Sequence, residues 1–217
     1  MPPINPPCGS SRGGATLSDA AFGKALRARA PKTIQSVGKV DALLVVDMLN
    51  DFVTGSLKCE RAQRIIPNLR RLAVEARKAD VPVIYCNDSH LASDFELKVW
   101  GRHAMRGTRG AEVIPELAPE KEDYIVPKRT YSCFFETELD TILRAHDARK
   151  IVITGLHTNI CDRHTTADAF FRGYEPFIPD DGVDAMDEQS HLQGLDYLKS
   201  VYGARIVKAD EIVKKWK

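Results

Sequence analysis

KIVITGLHTNICDRHTTADAF, residues 150–170, runs an apolar, β-branched segment into a polar turn and straight on into residues at helical spacing. That is the strand, turn and helix order of a parallel α/β unit. The unit recurs on both sides of it. Short β-rich runs lie at 42–47 (ALLVVD), 81–87 (VPVIYCN), 123–128 (DYIVPK), 150–156 (KIVITGL), 175–181 (EPFIPDD) and 204–209 (ARIVKA). Helical patterns fill most of the gaps, at 64–79, 134–148, 161–173 and 188–203. Continuous apolar strands joined by amphipathic helices pair in parallel, with both faces of the sheet covered and crossovers of one hand. The expected fold is therefore α/β: a doubly wound (Rossmann-like) three-layer sandwich around a mostly parallel sheet of about six strands, occupying residues 39–217. Residues 1–38 carry Pro, Gly and Ser clusters and no β-rich run, and read as an N-terminal extension, flexible at first, with a short helix over 18–30 after a Ser18 cap.

Composition narrows the partners. With 31 basic against 30 acidic side chains and a formal charge of +1, the chain has no field of one sign to hold nucleic acid or anionic lipid, so neither is expected as a partner. No apolar run approaches the roughly 18 residues a spanning helix needs, and the N-terminus lacks a secretory apolar core, so the expected compartment is the cytoplasm. Five scattered cysteines with no C-x-x-C pair read as reduced thiols. A phosphate-binding G-x-x-x-x-G-K-[ST] loop, a dinucleotide G-x-G-x-x-G and a G-x-S-x-G elbow are all missing, and a phosphatase loop would need arginine where Ala167 stands.

In open α/β sheets ligands collect beyond the carboxyl ends of the strands. Four runs deliver a chemically useful residue there: Asp47, Asp88, Lys128 and, just past the fourth, Cys161. A thiol in the first turn of a helix faces free N–H groups and the positive end of the dipole, which favour the thiolate. By position alone Cys161 reads equally well as a nucleophile or as a small core residue. Asp47 reads as a base for that thiol or as a capping carboxylate, and Lys128 as an electrostatic partner or a surface lysine. The segment 88–122 has little periodicity, and loops of that length are commonly functional. It holds Asp88, His90 and His103, a carboxylate and two imidazoles of the kind that bind zinc, iron or manganese. Of the remaining histidines, His164 reads as a packing residue, and His146 and His191 as surface positions on helices.

DALLVVDMLNDF (41–52), VPKRTYSCFFETELDTIL (126–143) and GLHTNICDRHTTADAFFRGY (155–174), in that order, resemble the isochorismatase-like cysteine hydrolases, a superfamily that includes nicotinamidases. The resemblance implies a catalytic triad at Asp47, Lys128 and Cys161, a cis peptide bond at Leu156–His157, and an oxyanion hole from the backbone N–H groups of His157 and Cys161. NDSH (87–90) and WGRH (100–103) resemble the metal-binding elements of the nicotinamidase branch. They imply a divalent metal, zinc first and iron or manganese next, on Asp88, His90 and His103, with Phe52 and Trp100 against the substrate. Gly101 stands where that branch usually has proline, Ala104 where cysteine is common, and Leu49 where many members have glutamine. The implied activity is cysteine-dependent hydrolysis of a small amide, nicotinamide foremost, by a homodimer or higher homo-oligomer. The alternatives are a ureido or carbamoyl amide, an isochorismatase-type vinyl ether, and a catalytically silent binding or assembly protein.

Overall fold

The computed structural model describes residues 40–217; the extension and the helix expected within 18–30 lie outside the described residues. Seven strands form one sheet: β1 (Ala42–Val46), β2 (Val83–Asp88), β3 (Tyr124–Lys128), β4 (Lys150–Leu156), β5 (Glu175–Pro179), β6 (Val183–Asp184) and β7 (Arg205–Val207). Their order is β3-β2-β1-β4-β5-β7, with β6 also beside β4, and every pairing is parallel. Six of the seven match the runs read from sequence. The seventh, β6, has only two residues, too few for any periodicity to betray it.

The strand sequences explain this order. β1 and β2 are buried at every position and β4 at all but its first, as strands covered on both faces must be. β3 alternates exposed and buried toward its end and contains Pro127, which an edge strand tolerates because one side needs no ladder hydrogen bonds. Among the described residues seven α-helices accompany the strands: α1 (Asn50–Val53), α2 (Ile66–Lys78), α3 (Leu97–Trp100), α4 (Leu139–Ala145), α5 (Cys161–Phe171), α6 (Glu188–Tyr202) and α7 (Ala209–Trp216). Ala42, Leu44 and Val46 pack into a cluster with Leu139, Leu143, Leu195 and Leu198, which places α4 and α6 on one face. Side chains alternate along a strand, so Leu43 and Val45 face the opposite layer.

Two segments depart from expectation. The helix expected over 134–148 begins only at Leu139, because Glu136 has φ 54° and the Thr137 hydroxyl bonds back to the Cys133 carbonyl. Past β7 the chain forms α7, which buries Ala209, Ile212, Val213 and Trp216 and anchors through Trp216 Nε1 to the Val40 carbonyl at 3.0 Å. Its brevity hid it behind the final β-rich run. No helix among the described residues is long and apolar enough to cross a membrane.

The sheet's order reverses direction between β1 and β4, where a crevice opens at the strand ends. Gly155 makes the two strands fit. It has φ +112°, and a Cβ there would lie 2.0 Å from the Val46 carbonyl oxygen. The residue after Val46 is Asp47, itself at φ 53° as the chain leaves the sheet.

Candidate active site

The strand ends bring the four residues together. Lys128 Nζ lies 2.7 Å from Asp47 Oδ2, 2.5 Å from Asp88 Oδ1 and 3.7 Å from Cys161 Sγ. The Asp88 N–H donates to Asp47 Oδ1 at 2.7 Å, so the end of β2 also orients the carboxylate that follows β1. Asp47, Asp88, Lys128 and Cys161 are all buried. Asp47, Asp88 and Cys161 each present a carboxylate oxygen or sulfur within 4.8 Å of the other two.

Charge explains the titration of this group. One ammonium faces two carboxylates, so the cluster carries a net negative charge beside the sulfur. Burial pushes Asp47 up to about 6, Asp88 adds to that, and Lys128 opposes it. For Asp88 burial also acts upward, but Lys128 and His90 outweigh it and hold the carboxyl below its ordinary range. Burial alone would lower Lys128, yet Asp47 and Asp88 keep it firmly charged. The thiol differs from the expectation drawn from its helix position. Burial drives Cys161 well above an ordinary thiol, with Asp47 and Asp88 adding to it against Lys128, so the resting sulfur is protonated.

The loop 88–104 supplies a second cluster. His90 Nε2 is 3.6 Å from Asp88 Oδ2 and 3.8 Å from Glu96 Oε1, while His103 Nε2 is 4.0 Å and 3.9 Å from the same two oxygens. A tetrahedral site with bonds of about 2.1 Å spaces its corners roughly 3.4 Å apart, so these four carboxylate–imidazole separations lie within about 0.6 Å of that spacing, and all four donors fall within 4.8 Å of one another. Asp88 Oδ2, His90 Nε2 and Glu96 Oε2 are buried without a hydrogen-bond partner, which is how ligand atoms look before a cation joins them. The far side of each ring is held: His90 Nδ1 pairs with Asp94 Oδ2 at 3.1 Å and His103 Nδ1 donates to the Gly101 carbonyl at 2.9 Å. Those bonds leave the two Nε2 lone pairs facing inward. Asp94 is fixed in turn by the Leu91 N–H and by Arg129, the residue after Lys128. The cluster fits a divalent metal. Glu96, pushed up to about 7 chiefly by burial and next by Asp88, is the member that sequence reasoning missed. Its only signal was an acidic residue inside the loop that already held two histidines.

A small cavity of about 20 Å³ joins the two clusters, lined by Asp88, Glu96, His103 and Cys161 together with Phe52, Leu57, Trp100, Tyr131, His157, Ile160 and Met186. The two residues expected against substrate, Phe52 and Trp100, both reach it. Phe52 packs on His103 and His157, and Trp100 Nε1 donates to Tyr131 Oη at 3.0 Å. His164 stacks on Tyr131, in keeping with a packing role. His146 is exposed at the surface. His191, expected there too, is instead buried with Nδ1 2.9 Å from Thr158 Oγ1, because α6 turns that face toward the strand-to-helix turn. The Leu156–His157 peptide is cis. The Thr158 N–H is taken by Asp184 and the Asp162 N–H by His157, whereas among the described residues the His157 and Cys161 N–H groups donate to no backbone acceptor.

The chain superposes on N-carbamoylsarcosine amidase from Thermoplasma acidophilum with a TM-score of 0.76 and 42% identity, over 80% of this chain and 98% of that one. On the pyrazinamidase of Pyrococcus horikoshii in complex with zinc the TM-score is 0.73 at 28% identity, over 77% and 98%. In sequence it is 32% identical to the isochorismatase family protein YaaI of Bacillus subtilis (strain 168), over 80% of this chain and 97% of that protein. The family model described as the isochorismatase domain matches residues 41–211, from the first residue before β1 into α7. That span takes in every strand and both side-chain clusters, and the chain belongs to the isochorismatase family of hydrolases.

Proposed function

We propose that the chain hydrolyses a small amide through a thioester on Cys161, with nicotinamide as the preferred substrate. The observation that carries the reading is Lys128 Nζ placed between Asp47 and Cys161 at 2.7 Å and 3.7 Å, with Cys161 lining the cavity. Asp47 takes the thiol proton as sulfur attacks the amide carbon. Because the resting thiol is protonated, the transfer accompanies C–S bond formation, and a carboxyl at about 6 is a stronger base for it than one at 3.8. The His157 and Cys161 N–H groups receive the oxyanion. Losing one such donor typically costs on the order of 100-fold in rate or more. The C–N bond then breaks as Asp47 returns its proton to the leaving nitrogen, releasing ammonia. Water attacks the thioester with Asp47 again as base, the carboxylate product leaves, and the proton ends on sulfur. Lys128 orients Asp47 and offsets its charge throughout.

Asp88, His90, Glu96 and His103 would hold a divalent metal, zinc by preference, which supplies a Lewis-acid contact for a ring nitrogen or a bound water. The aromatic walls of Phe52, Trp100 and Tyr131 suit a flat ring. A second reading, a carbamoyl amide, is favoured by the 42% identity to N-carbamoylsarcosine amidase. Ammonia release from nicotinamide and from N-carbamoyl amino acids separates the two, measured in wild type and Cys161→Ala. Equal background in both proteins removes the amidase reading, and metal content unchanged in His90→Ala removes the metal assignment.

A further inference from the structure

The proposed mechanism uses His157 only through its backbone, yet the residue also lines the cavity. His157 is 4% exposed, lines the cavity beside Cys161, and buries Nε2 with no hydrogen-bond partner. Buried polar atoms nearly always find a partner, so an orphan in the wall of a binding cavity marks where a ligand atom belongs. Most of the other lining groups are committed or apolar. Asp88, Glu96 and His103 turn toward the metal-type cluster, Cys161 toward Lys128, and Trp100 donates to Tyr131, whose hydroxyl keeps a proton to give. Phe52, Leu57, Ile160 and Met186 offer no ordinary side-chain donor or acceptor. Phe52 packs edge-on against His157, with ring centroids 5.8 Å apart and an interplanar angle of 86°, which holds the imidazole plane steady. Burial pushes this histidine down to about 4, so it is neutral at physiological pH and offers one donor or one acceptor but no charge.

We propose that His157 Nε2 is a specificity contact: it hydrogen-bonds an uncharged polar group on the acyl part of the substrate, so the site selects small polar amides over hydrocarbon and carboxylate-bearing ones. The inference rests on the amidase reading for the word substrate, but its binding contact is separately testable. A site built to pair with a polar group rejects analogues lacking it far more strongly than an apolar wall rejects an extra atom, because the protein atom is left unpaired in the complex. An anionic group at the same position would meet a neutral ring and no arginine among the lining residues.

Binding is read by calorimetry in the Cys161→Ala background, with EDTA present so that the metal-type cluster contributes no preference. The ligands are benzamide, nicotinamide, 3- and 4-hydroxybenzamide, and 4-carbamoylbenzoate. With His157 intact, at least one uncharged polar amide should bind on the order of 10-fold or more tighter than benzamide, and 4-carbamoylbenzoate no tighter than benzamide. His157→Leu should bring the polar amides to within about 3-fold of benzamide while benzamide itself barely changes, and His157→Asn should restore part of the preference. Circular dichroism and thermal melts establish that each variant is folded. A preference that survives His157→Leu, an equal loss for benzamide, or tightest binding by 4-carbamoylbenzoate overturns the proposal. If the His157-dependent preference appears but wild type releases no ammonia from any of these amides, the contact stands and the hydrolysis reading falls. If ammonia is released with the preference independent of His157, the reverse holds.

Discussion

Replacing Gly155 by alanine tests whether the approach of β1 to β4 sets the geometry of the Asp47, Asp88, Lys128 and Cys161 cluster. The new Cβ would lie 2.0 Å from the Val46 carbonyl oxygen, 2.8 Å from its carbon and 2.9 Å from the Val46 nitrogen. Ordinary contact begins above about 3 Å, so the strands must part by roughly 1 Å at the centre of the sheet. A non-glycine residue at φ +112° adds about 1–3 kcal/mol of backbone strain. Weakened ladder hydrogen bonds add about 0.5–1.5 kcal/mol each. The sum is about 3–5 kcal/mol, a large part of the 5–15 kcal/mol that typically holds a domain together. With a urea m-value near 2 kcal/mol/M, the midpoint should fall by about 2 M. Gly203→Ala is the control: it has φ +65°, follows α6, and a Cβ there meets nothing within 4 Å, so only the backbone cost of about 1 kcal/mol remains. Asp47 follows Val46 directly, so Gly155→Ala that is still folded should also lose about 100-fold in kcat, the usual effect of a 1 Å misplacement. Gly155→Ala melting within about 1 kcal/mol of Gly203→Ala, with wild-type kcat, would refute the reasoning.

Three further outcomes are expected. Lys128→Met leaves the buried Asp47 and Asp88 without their cation, and should cost about 3–5 kcal/mol by urea unfolding at neutral pH along with most of the proposed amidase activity. Asp94→Ala frees the His90 ring, and should weaken zinc binding about 10- to 100-fold in a competition titration, with less loss in Arg129→Ala. For His157 the folded value near 4 lies below the unfolded 6.5, so as pH falls the unfolded chain takes up its proton first. The stability this neutral ring confers is complete above about 6.5 and is lost toward pH 4, up to about 3 kcal/mol. Urea melts of His157→Asn should lack that portion of the acid loss.

The strands were legible because a doubly covered parallel strand writes an unbroken apolar run, as LLVV and KIVITGL do. The strand-end residues followed from the same register, since Asp47, Asp88 and Lys128 each close a run. What stayed hidden depends on packing at a distance. Glu96 lies in a loop without period, and only the folding of that loop turns its carboxylate toward His90 and His103. His191 sits in a helix whose polar sequence gave no hint that its ring would reach Thr158. The state of the Cys161 thiol cannot be read from the helix alone, because burial decides it, with Asp47 and Asp88 adding to the effect against Lys128.

The cavity walls have a different origin from the chemistry they enclose. Asp47, Asp88 and Lys128 stand at the ends of β1, β2 and β3, held by the ladder of the sheet, and Cys161 opens α5 just past β4. Phe52, Leu57, Trp100, Tyr131 and Met186 come from short helices and connecting segments that the ladder does not hold. Connecting segments tolerate substitution better than the elements they join, so these walls can be exchanged while the strand-end cluster stays in place.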